Sequence, residues 1–170
     1  MANLKMSIEE IVDCIELKEQ CWFNTMGTNC YAYALGLDLD EDMIAKYAYQ
    51  VGVMGAILND IDIKEVLKLS YDERLALDLN SMKIPFVECG PMDTIEYNQW
   101  KIAMFANFEK ENAFHFMREG SKGIWWQKWG GLFGYPVCKD FDSQIITDPR
   151  TCNIGDYEYV KTYALTRKDY

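Results

Sequence analysis

Asn29-Cys30-Tyr31-Ala32-Tyr33-Ala34-Leu35-Gly36 is the stretch whose reading decides the fold. It follows a Gly/Asn/Thr-rich loop, Asn24 to Asn29, and is alanine-rich and closed by a glycine. That pattern predicts a short buried helix with Gly36 as its C-terminal stop. A cysteine at the first helical position sits among amide N–H groups that no carbonyl of the same helix accepts. Such a site favours negative charge and so a thiolate.

Working outward, Ser7 with Glu10 forms a capping-box pattern, and Ile8, Ile11, Val12 and Ile15 share a face of a helix ending near Gln20. Asp38 to Asp42 offers caps for a helix through about Met54. Asp60 opens another over Ile61 to about Leu69, and Tyr71 to Leu79 reads as a further one. The composition changes after Pro85. Residues 100–106 and 113–118 are short aromatic-rich runs that suit strands. Ile124 to Lys128 follows a Gly-Ser-Lys-Gly turn, as in a hairpin, and Gln144 to Thr147 and Glu158 to Leu165 are two more strand candidates. Helices first and an antiparallel sheet second predict an α+β fold. With 170 residues the expectation is a single domain over 1–170, mainly helical in 1–80 and mainly sheet in 81–170.

Composition narrows the function classes. Hydrophobic residues make up 49% of the chain, enough for a packed core. No apolar stretch approaches the roughly 18 residues needed to span a bilayer, and the first residues lack the basic start and apolar run of a signal peptide. The expectation is a cytoplasmic protein without a membrane partner. On that reading Cys14, Cys21, Cys30, Cys89, Cys138 and Cys152 are reduced thiols. No C-x-x-C pair occurs and there is one histidine, so no structural metal site is expected. Net charge is −10, with 15 acids and 6 bases in residues 1–80. Such a surface repels phosphate backbones, so direct nucleic-acid binding is not expected.

A thiolate nucleophile needs a base, and His115 is the sole imidazole. Held on a strand, it would sit at hydrogen-bond reach of Cys30, with a third polar group fixing its tautomer. The segments Asn29 to Gly36, Phe114-His115-Phe116-Met117-Arg118 and Gly123-Ile124-Trp125-Trp126-Gln127-Lys128 stand in the same order as in papain-like cysteine hydrolases. Together, across about 100 residues, they resemble that superfamily, in particular small bacterial and phage proteins with an N-C-Y-A-Y-A-L start and the NlpC-type endopeptidases. In that type a polar residue twelve positions after the histidine orients it, which here is Gln127.

The resemblance implies a papain-like fold, helical half packed on antiparallel sheet, and a peptidase or amidase acting on a protein or peptide substrate without a cofactor. Cys30 would attack, His115 move the proton, and Gln127 orient the imidazole. Asn24, six residues before the nucleophile, would hold the oxyanion together with the Cys30 amide. Related chains usually carry a histidine where this one has Gln127. A glutamine carbonyl accepts the imidazole N–H but cannot stabilise imidazolium as a carboxylate does. Asp142 or Asp148 is the alternative orienting residue.

Against this stand plainer readings. A lone cysteine is more often core, and a lone histidine on an aromatic strand is more often a packed residue. Trp100, Trp125, Trp126 and Trp129 would line a groove or, for at least half of them, fill the core. The runner-up function is a non-catalytic acidic inhibitor from a phage or mobile element. It would bind a basic host defence or nucleic-acid-binding protein through Asp38, Asp40, Glu41 and Asp42.

Overall fold

The computed structural model describes residues 29–37, 50–129 and 136–167. Its first element, α1 (Cys30–Leu35), is bounded as its sequence dictates. The Asn29 side chain accepts from the Ala32 N–H, and Gly36 closes the helix in the left-handed region at φ 67°. All six helical residues are buried, and the two tyrosines, two positions apart and so on opposite faces, enter different core clusters, Tyr31 with Phe116 and Tyr33 with Trp126.

Helices α2 (Val53–Leu58), α3 (Ile63–Val66) and α4 (Tyr71–Ser81) follow. Asp62 caps α3. Ser70 and Glu73 form a full capping box at the start of α4. The expected helix from Asp38 through Met54 lies mostly outside the described residues. Where it is described, the chain turns at Gly52, with φ at +93°, and the helix begins there rather than ends.

The sheet has five strands in the order β1-β5-β2-β3-β4, all pairs antiparallel. They are β1 (Phe86–Cys89), β2 (Gln99–Ala106), β3 (Phe114–Glu119), β4 (Trp125–Gln127) and β5 (Glu158–Thr166). The α+β expectation thus holds. The strand expected at Gln144–Thr147 contributes only an isolated bridge, Lys139 to Ile145, and β1 comes from a stretch that local pattern did not flag.

Both faces of the sheet are covered. Ile102, Met104, Phe116, Tyr163 and Leu165 pack with Cys30, Tyr31, Leu75 and Leu79. Ala103, Phe105, Met117 and Trp125 pack with Ile146 and Ile154. Adjacent positions 102–105 thereby alternate between two cores, the period-two pattern of a strand buried on both sides. Fully burying one apolar side chain contributes ~1.5–3 kcal/mol, which makes β2 the mechanical centre of the fold.

Candidate active site

His115 lies on β3, between β2 and β4, and is 2% exposed. Its Nε2 lies 2.9 Å from Oε1 of Gln127. The tautomer follows from the next link. The Gln127 amide nitrogen donates to the Lys139 carbonyl at 2.8 Å, so its carbonyl oxygen faces the ring and Nε2 must carry the hydrogen. Nδ1 is left with a lone pair, and no hydrogen bond engages it among the described residues.

Trp129 stacks on the imidazole at 4.2 Å and 10° between planes, and Phe141 stacks on the far side of Trp129 at 4.9 Å. Strand alternation explains the grouping: Trp125, Gln127 and Trp129 share the side of β4 that meets His115. Burial among these rings lowers the imidazole pKa to about 4, with the Gln127 bond pulling weakly the other way.

Cys30 opens α1, is 6% exposed and belongs to the other core cluster. Burial raises its thiol pKa to about 11. Opposing that rise are the main-chain amides of Phe116, Tyr31 and Cys30 itself and the charge of Lys128. The sulfur therefore lies against β3 at Phe116, one residue along from the histidine. No hydrogen bond joins Cys30 to His115 among the described residues. The cysteine packs with the helical-face cluster, while His115 leans on Phe105, Trp129 and Tyr157 of the opposite one. The expected pair is thus brought to consecutive residues of one strand but is not hydrogen-bonded.

The remaining expectations separate cleanly. Gln127 is the oxygen facing the imidazole. Asp142 accepts from Asn153 Nδ2 at 2.9 Å, and Asp148 is held by Arg150 through contacts of 2.6–3.1 Å. Both carboxylates are thus engaged elsewhere. Asn24 and the acidic stretch Asp38, Asp40, Glu41 and Asp42 lie outside the described residues.

Two participants escape motif reading. Lys128, fully buried, places its charge on the Cys30 sulfur, and its own pKa is lowered by burial. Trp129 was a groove candidate rather than a cover for the imidazole. A signal for both exists in hindsight, since a cation and an aromatic flank Gln127 on alternate faces. Among the described residues no group of three or more His, Cys, Asp or Glu is placed to hold a metal ion. Nor is any helix there long and apolar enough to cross a membrane.

Fold and site define an α+β protein with an oriented, neutral histidine packed into the sheet beside a helix-opening cysteine. No family model, curated protein or solved structure matches the chain.

Proposed function

We propose that this chain is a papain-like thiol hydrolase that cleaves an amide or isopeptide bond in a protein or peptide. The observation that carries this reading is the Nε2–H bond from His115 to Gln127, fixed from behind by Lys139. It leaves the Nδ1 lone pair as the proton acceptor, on the strand whose next amide lies against the Cys30 sulfur.

In the reaction, once a rearrangement has carried the sulfur from its own core to the imidazole, Cys30 Sγ attacks the carbonyl carbon while its proton passes to His115 Nδ1. Collapse of the tetrahedral adduct expels the amine, which takes that proton, and leaves a thioester. Water, deprotonated by the same nitrogen, then releases the acid and restores the thiol. Trp129 shields the orienting hydrogen bond from water.

Magnitudes restrict when this can occur. With pKa values of about 11 and about 4, the thiolate–imidazolium pair lies on the order of 10 kcal/mol above the neutral pair before their mutual attraction is counted. The described arrangement is a resting state. Turnover requires exposure of both groups, the sulfur from its core and the imidazole from among Phe105, Trp129 and Tyr157, which lowers the thiol pKa and raises that of the imidazole.

The same burial favours a second reading, a non-catalytic acidic inhibitor that keeps this scaffold and binds a basic protein of the host. An electrophilic peptide amide analogue separates the two. A hydrolase captures it on Cys30 at neutral pH faster than on Cys89 or Cys152, and capture is lost in His115→Ala and slowed in Gln127→Ala variants shown to be folded. Labelling of Cys30 only at the rate of global unfolding sinks the enzyme. In that case Cys30→Ala keeps the biological effect, and charge reversal across residues 38–42 removes it.

A further inference from the structure

A second site, built from residues that neither reading of the function uses, lies between α3, the start of α4 and the β2–β3 loop. It is an open cleft of about 400 Å³, within the size range of small-molecule sites. On a chain of net charge −10 its lining is the exception: Lys64, Lys68, Arg74 and Lys110 against a single carboxylate, Glu111.

The hydrogen-bonding character is as one-sided as the charge. Asn107 is 3% exposed, and its carbonyl oxygen accepts the Glu109 N–H at 3.0 Å. The Asn112 carbonyl oxygen accepts from Arg74 at 2.8 Å. Both partners are donors only, so each amide must turn its –NH₂ group away from them. Both residues line the cleft. Arg74 is spent on structure: besides Asn112 it donates to the carbonyls of Leu69 and Leu67. It fixes the walls and leaves its charge behind them. The Lys64 side chain makes no hydrogen bond or ion pair among the described residues. Lys68 and Lys110 pair with Glu65 and Asp156 at exposed positions, and such pairs yield readily to a better anion. Among the charged and amide side chains that line the cleft, Glu111 alone is purely an acceptor.

The apolar part of the lining is aromatic. Phe108 stands 67% exposed, and the ring of Tyr71 carries the Arg74 guanidinium at 5.1 Å. An unpaired ring at the mouth of a cationic cleft is a stacking platform. We propose that this cleft binds a nucleoside phosphate, the phosphate on the lysines and asparagine amides and the base on Phe108. A single nucleotide fits the volume, whereas the acidic remainder of the molecule repels a long polyanion.

Calorimetric or NMR titration of the whole protein tests this with adenosine 5′-diphosphate, adenosine, inorganic phosphate, a phosphotyrosine peptide and a single-stranded oligonucleotide. The diphosphate should bind at least tenfold more tightly than adenosine or phosphate alone. Lys64→Glu should weaken it at least tenfold, and Phe108→Ala should weaken it while leaving phosphate binding unchanged. Both side chains are at the surface, so the variants should fold. Absence of diphosphate binding, insensitivity to Lys64→Glu, or tighter binding of the peptide or oligonucleotide would overturn the proposal. Because Cys30 and His115 are not involved, the outcome is independent of the hydrolase test.

Discussion

At position 115 the imidazole is a neutral ring among Phe105, Trp129 and Tyr157, with pKa lowered to about 4 by burial. In the unfolded chain the same group titrates near 6.5. Between those values the unfolded state binds a proton that the folded state refuses, so stability must fall as pH drops through that window. The full loss is about 3 kcal/mol. Urea unfolding of the wild type and of His115→Gln at pH 7 and near pH 4 measures it. The wild type should lose about 2–3 kcal/mol more than the variant, and parallel losses would show the imidazole to be solvated. The position of this residue was legible in the sequence, through strand order and the twelve-residue step to Gln127. Its protonation was not, because the rings that desolvate it come from segments up to 42 residues away in the chain.

At the scale of elements, Asp78 shows why α4 was readable and α2 was not. Helix α4 carries its own boundary signals, Ser70 and Glu73, within four residues. Helix α2 borrows its cap. Asp78, fully buried on α4, accepts the N–H groups of Gly52 and Gly55 and the Tyr31 hydroxyl, each at 2.6 Å. No local pattern around residue 52 reports an acceptor supplied 26 residues later. Strand β1 was missed for a related reason: four residues at a sheet edge give too short an alternation to register.

The close approach of α2 to α4 also reverses an ordinary expectation. Alanine is favoured over glycine inside a helix by ~1 kcal/mol. At Gly55, however, a Cβ would lie 2.5 Å from Leu77 Cγ and 2.9 Å from its backbone carbon. Gly55→Ala must push the helices apart and strain the Asp78 bonds, for a net destabilisation of about 1–3 kcal/mol. A chemical-denaturation midpoint equal to or above that of the wild type would mean the two helices do not pack as described.

For the whole molecule the decisive feature is that the helical and sheet halves do not own separate cores. One cluster joins Cys30 and Tyr31 of α1 and Leu75 and Leu79 of α4 to Ile102, Met104, Phe116, Tyr163 and Leu165 of the sheet. The last two come from β5, which lies between β1 and β2. The order helices-then-strands was legible, but this dependence was not, since the strand that completes the core is the last element in sequence. It makes a defect in β5 a test of cooperativity. Ala164 pairs with Val87 on one side and Lys101 on the other and is buried. Proline there removes a ladder donor from an interior strand and forces its ring into the pairing, at ~3 kcal/mol or more. That is a large share of the ~5–15 kcal/mol that holds a typical domain together. If the shared core governs folding, Ala164→Pro should abolish the helical far-UV circular dichroism together with the sheet, and urea unfolding of the wild type should give one transition by every probe. A variant that keeps its helical signal after the sheet is lost would divide the chain into two units. It would also remove the physical basis for holding Cys30 against β3, because Tyr31 packs on Phe116 of that strand and Tyr33 on Trp126 of the next.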